Sequence, residues 1–143
     1  MNILIVNGPN LKALEFREKE VYGSVSYSSL KETLKQEAKK LKVRLRFFVS
    51  NHEGKLIDRL LKRNFDGLVI NPGGLSHTSV ALHDSLKILK VPKVEVHLSD
   101  VLKREDFRHN LITAKACDLT VMGKGINGYL EALSEVVKRV KNY

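Results

Sequence analysis

Five short apolar runs, at residues 2–6, 43–49, 68–70, 93–96 and 118–122, each break off in a polar turn. Runs this short, rich in Val, Ile and Leu, read as strands. Between them the apolar residues take helical spacing: Leu30, Leu34, Ala38 and Leu41; Leu56, Ile57, Leu60 and Leu61; Val80, Leu82, Leu86 and Leu89; Ile126, Leu130, Leu133, Val137 and Val140. A short charged segment, 104–109, follows the fourth run. The pattern reads as five βα units in one domain spanning 1–143, with no repeat and no low-complexity linker. Such a chain predicts an α/β fold with a parallel sheet and helices on both faces. Five strands in a doubly wound sheet predict the flavodoxin-like order 2-1-3-4-5. The second run alternates and carries Arg44 and Arg46, which suits a sheet edge or a subunit contact. Ser26 or Ser29 is expected to start the first helix, Ser29 and Glu32 having capping-box spacing. Ser76 or Thr78 is expected to cap the helix after the third strand.

Composition removes several function classes. The net charge is +9, which raises nucleic-acid binding. The lysines, however, lie on the outer faces of the predicted helices (Lys31, Lys35, Lys39, Lys42, Lys138, Lys141), with no aromatic residues between them to stack on bases. A solvated basic surface that attracts small anions is the better reading, with no nucleic-acid partner. No apolar run approaches the ~18 residues of a membrane span. The start, MNILIVNG, does not read as a signal peptide. A lone cysteine, Cys117, suits a reducing, cytoplasmic setting. No metal site is expected: HEGKL lacks the second histidine of a zinc motif, and no two histidines stand four apart. The stretch from Gly123 to Gly128 matches GxGxxG, but it sits in the last βα unit, where no further strand can carry the ribose-binding acid. It reads as a tight turn with close helix packing.

Polar residues gather where strands end. Asn7-Gly8-Pro9-Asn10 follows the first strand, and Asn71-Pro72-Gly73-Gly74 with Ser76, His77, Thr78 and Ser79 follows the third. Glu95, His97, Ser99 and Asp100 close the fourth. Strand ends that meet helix N-termini are where open α/β sheets hold ligands, and free N–H groups there favour anions. Residues 11–25 have no clean period and carry Arg17 and Tyr22; a loop of this length reads as a functional lid or a mobile segment.

Read together, ILIVNGPNL, REKEVYGS, FFVSNHEGKLIDRL, INPGGLSHTSVALHDSL, VEVHLSDVLKREDFRH and GKGINGYLEAL resemble the type II 3-dehydroquinate dehydratases, the small dehydroquinases of the shikimate pathway. Their order and spacing cover nearly the whole chain. The resemblance implies loss of water from 3-dehydroquinate to give 3-dehydroshikimate through an enolate, without metal or organic cofactor. It implies a place in aromatic amino-acid biosynthesis, and a homo-oligomer, a dodecamer built from trimers. Tyr22 matches the family's base, Arg17 its essential arginine, and His97 the general acid, with Glu95 orienting the imidazole. Asn10 matches the residue that holds a water near the developing enolate oxygen. Asn71 and the backbone N–H groups of Leu98 and Ser99 match the contacts to carboxylate and hydroxyl. His77, Asp84 and Arg108 match the partners of the ring hydroxyls.

The chain also departs from the family's usual pattern. Where members read NGPNLN, LLGTRE and then P, it has Lys12, Ala13, Glu15, Phe16 and Lys19. INPGAYTHT is replaced by INPGGLSHT, and FRHHS by FRHNL. The chemical residues survive these changes, so activity is expected, with the closing contacts of the lid altered.

Overall fold

The computed structural model describes residues 1–17 and 25–143. Tyr22 lies outside the described residues. Five parallel strands, β1 (Asn2–Asn7), β2 (Arg44–Val49), β3 (Gly67–Asn71), β4 (Lys93–His97) and β5 (Leu119–Met122), form one sheet in the order β2-β1-β3-β4-β5. This is the flavodoxin-like order that the pattern of runs predicts.

Alternation along the strands sorts the core into two layers. Ile3 and Ile5 point to one face, where α1 (Tyr27–Leu41) packs Leu30 and Leu34, and α4 (Ile126–Lys141) packs Tyr129, Ala132, Leu133 and Val136. Leu4 and Val6 point to the other, against Leu56 and Leu60 of α2 (Glu53–Leu61) and Leu82 and Leu86 of α3 (Val80–Ile88). Period-two strands carrying apolar residues on both faces require this double cover. β1, β3 and β4 are buried almost throughout, whereas β2 exposes Arg44 and Arg46 as an edge strand.

Three local readings change. Four strands are followed by an α-helix, but the link from β4 to β5 consists of short 3-10 turns at Val101–Lys103, Asp106–Arg108 and Thr113–Ala116. That segment has no apolar period to bury one face of a helix, and Asp100, Glu105 and Arg108 hold its turns locally. α1 is capped by Ser26 with Ser29 in a reciprocal capping box, so Glu32 plays no part. The backbone of Ser26 is extended, and the Ser29 hydroxyl supplies the return bond. α3 is capped by Ser79, whose Oγ accepts from the Leu82 N–H at 2.9 Å. Residues Gly73–His77 first make a 3-10 turn, which moves the helix start past both Ser76 and Thr78.

Packing of α4 on the sheet depends on Gly67. A Cβ there would stand 2.4 Å from Val136 Cγ1 and 3.1 Å from Ile3 Cδ1. Gly67→Ala is therefore expected to destabilise the fold by about 1–3 kcal/mol through overpacking. The check is a lowered melting temperature; an unchanged one would mean that α4 shifts without cost.

Candidate active site

The C-terminal ends of β1, β3 and β4 meet in a predominantly polar cleft, at the strand ends where open α/β sheets hold ligands. β3 supplies Asn71, the turn after it His77, and β4 His97 followed by Leu98 and Ser99. Arg17 and Arg108 line the cleft from the segments beyond β1 and β4. Seven of the expected site residues are thus brought together.

The exits of β1 and β3 are knitted closely. A Cβ at Gly8 would stand 2.4 Å from the Pro72 carbonyl oxygen, so no other residue fits without displacing backbone. The Gly8 N–H donates to the Asn71 carbonyl at 2.8 Å. The Asn71 side chain is fixed at both ends: Oδ1 accepts from Gly73 N–H at 3.0 Å, and Nδ2 donates to the Tyr129 hydroxyl at 2.9 Å. That hydroxyl donates in turn to Asn7 Oδ1 at 2.5 Å. Burial, the largest influence, pushes the Tyr129 hydroxyl above its ordinary pKa, so it remains a proton donor.

His97 stands on a buried carboxylate. Its Nε2 lies 2.7 Å from Glu95 Oε2, and Glu95 is fully buried. A carboxylate oxygen accepts, so Nε2 carries the hydrogen and Nδ1 is the nitrogen left to exchange a proton. Glu95 also accepts from the hydroxyls of Ser76, at 2.7 Å, and Thr113, at 2.5 Å.

The His77 ring stacks on His97, with centroids 6.3 Å apart and planes 23° apart. Its Nδ1 donates to the Asn110 carbonyl at 3.0 Å. Burial first, then the nearby His97 and Arg108, lower its pKa against the opposing pull of the Asn110 bond and Glu95. A histidine with a lowered folded pKa stabilises the fold above its unfolded value, about 6.5, and that contribution is lost as pH falls through the folded value. Melting temperatures across this range are expected to fall less steeply for His77→Asn than for the wild type. Parallel curves would contradict the assignment.

Three expected residues stand apart from the cleft lining. Asn10 is exposed with a left-handed backbone (φ 71°), and its N–H donates to Asn51 Oδ1 at 3.0 Å. Asp84 is on α3 with its carboxylate two-thirds exposed, 2.9 Å from His83 Nδ1. Glu95 lies beneath His97 rather than on the cleft wall.

Other residues were not anticipated. Arg104 lines the cleft beside Arg17 and Arg108, so three arginines contribute to its wall. Its Nε lies 3.7 Å from Glu105 Oε1, and Arg108 Nε donates to the same oxygen at 3.0 Å. Its signal was its place in the charged segment after β4. Tyr129, Asn7 and Thr113 had weaker signals. A tyrosine within an apolar helical stripe needs a partner for its hydroxyl, but sequence does not say which. Among the described residues no group of three His, Cys, Asp or Glu side chains could hold a metal ion, and no helix is long and apolar enough to cross a membrane.

Comparison with known proteins bears on the family and the fold. A family model described as class II dehydroquinase matches residues 1–137. A 3-dehydroquinate dehydratase of Thermotoga maritima is 48% identical over 141 residues, covering 99% of this chain and 98% of that protein. The crystal structure of a type II dehydroquinase from Butyrivibrio crossotus superposes with a TM-score of 0.93 at 38% identity, over 95% of this chain and 97% of that one. A type II dehydroquinase from Propionibacterium acnes superposes at 0.90 with 32% identity, over 96% of each chain.

Proposed function

Because the chain belongs to the class II dehydroquinase family, we propose that its cleft converts 3-dehydroquinate to 3-dehydroshikimate through an enolate, with Tyr22 as base and His97 as acid. The observation that carries the reading is His97, held 2.7 Å from a buried Glu95 on the wall of a cleft lined by three arginines. The arginines give the cleft a positive field that suits an anionic substrate and a developing negative charge. The histidine suits a leaving group that must depart as water.

The reaction needs a base for the proton beside the ketone and an acid for the departing hydroxyl. Tyr22 takes the first proton as tyrosinate. At pH 7 that form costs about 4 kcal/mol for an ordinary tyrosine, and the Arg17 guanidinium offsets part of this. The enolate oxygen is met by a water held by Asn10, which stabilises charge only as it develops. The enolate then reforms the ketone as the carbon–oxygen bond breaks, and His97 Nδ1–H protonates the leaving oxygen. Asn71 and the Leu98 and Ser99 N–H groups hold the carboxylate end. His77, Arg108 and Asp84 bind ring hydroxyls.

Asp84 is exposed and does not line the cleft of its own chain. It meets substrate only if it faces the cleft of another copy, which fits the homododecamer of trimers that family membership suggests. The enzyme works without metal or organic cofactor, in the cytoplasm, within the shikimate route to aromatic amino acids. The test is growth of enone ultraviolet absorbance from 3-dehydroquinate, run with a chelator and with borohydride-treated protein. Turnover that survives both supports the reading; loss in either arm overturns the cofactor-free, Schiff-base-free chemistry.

A further inference from the structure

We infer that Thr113 and Ser76 form a paired hydroxyl clamp on Glu95 and are positioning residues for His97. The inference rests on the reading of His97 as the general acid.

The hydrogen count supports it. Glu95 is fully buried. Its Oε1 takes the Thr113 hydroxyl at 2.5 Å, and its Oε2 takes both the Ser76 hydroxyl and His97 Nε2 at 2.7 Å. The two hydroxyl oxygens lie 3.2 Å apart. Each hydroxyl has one hydrogen. With both given to the carboxylate, the two Glu95 oxygens receive three donors and Glu95 acts purely as an acceptor. His97 then keeps its Nε2–H on Glu95, and Nδ1 points its chemistry at the substrate. Removing the Thr113 hydroxyl would leave Oε1 a buried acceptor with no donor, an arrangement that favours rotation of the carboxylate or capture of the imidazole's proton. A rotated carboxylate misaims the ring, and an imidazole that has given its Nε2 proton to Glu95 is a weaker acid at Nδ1, so either change slows proton delivery to the leaving hydroxyl.

Thr113 is itself buried and does not line the cleft. It sits in the irregular link between β4 and β5, three residues after Asn110, whose carbonyl takes His77 Nδ1. Residues 110–113 therefore brace both stacked histidines, one directly and one through Glu95. The clamp is separate from substrate binding, because neither hydroxyl is on the cleft wall.

The test is Thr113→Val, with Thr113→Ser as its conservative partner. Thr113→Val is expected to lower kcat about tenfold or more, short of the full ~10²–10⁴-fold contribution of a general acid. KM should stay within about twofold, because the lost interaction is felt in the transition state and not in binding. Thr113→Ser should restore kcat. In deuterium oxide, deuterium entry at the carbon beside the ketone should continue while hydroxyl loss slows. The ratio of exchange to enone formation should then rise about tenfold over wild type, matching the kcat loss. Unchanged kcat, or exchange and elimination falling together, would overturn the clamp. If Thr113→Val does not fold, Ser76→Ala strips a donor from the other oxygen and gives the same reading. A His97→Ala protein that still dehydrates substrate at the wild-type rate would remove the acid assignment itself, a failure separate from the clamp's.

Discussion

Tyr22→Phe is expected to lower kcat by about 10²–10⁴-fold or more, the range of a lost general base, with little change in melting temperature. The reason lies partly in the other tyrosines. Tyr27 and Tyr129 are both pushed above the ordinary tyrosine pKa, with burial the largest cause in each case. The Tyr129 hydroxyl already donates to Asn7 Oδ1 at 2.5 Å. Neither can replace a tyrosinate at neutral pH. The proposed base needs the opposite environment, a guanidinium close by, and Arg17 at the cleft margin is the residue in sequence reach. Enone absorbance at saturating substrate checks the prediction. A Phe variant that turns over at the wild-type rate would place the base elsewhere.

His97→Ala is expected to cost a similar ~10²–10⁴-fold in kcat, for a different reason. Loss of hydroxide from carbon is slow unless a proton arrives with it. The imidazole is positioned to deliver that proton by a buried carboxylate 2.7 Å from its other nitrogen. Truncation also leaves Glu95 with only the Ser76 and Thr113 hydroxyls as donors. Part of the loss should therefore appear as reduced stability, since an under-satisfied buried acceptor costs about 1–3 kcal/mol. His97→Asn, which retains a donor, should recover that stability without recovering turnover. Parallel recovery of both would mean that His97 serves structure more than proton transfer.

The strand pattern was readable because β-branched runs bounded by Asn, Gly and Pro have few alternatives, and two apolar faces on one strand require a covered parallel sheet. Residues at strand ends were readable for the same reason: topology brings Asn71 and His97 to one edge of the sheet without any knowledge of side-chain contacts. What depended on distant pairing was not readable. Ser76 and Thr113 reach Glu95 across 19 and 18 residues, and Tyr129 reaches Asn7 across 122. No spacing rule connects such partners. Ser76 carried a plausible cap reading by composition, yet its hydroxyl was claimed by the buried carboxylate and the cap passed to Ser79. Arg104 escaped notice because a charged segment without period looks like solvated loop. Only the 3-10 turns that fold it over the strand ends bring its guanidinium to the cleft.

The central claim is a division of labour, with the proton beside the ketone removed by one residue and the leaving hydroxyl protonated by another across an enolate. Deuterium entry at the carbon beside the ketone, followed in His97→Ala protein incubated with 3-dehydroquinate in deuterium oxide, tests it most directly. The prediction is continued exchange with enone formation nearly absent. Enone formation at the wild-type rate, or loss of exchange together with elimination in a folded protein, would contradict it.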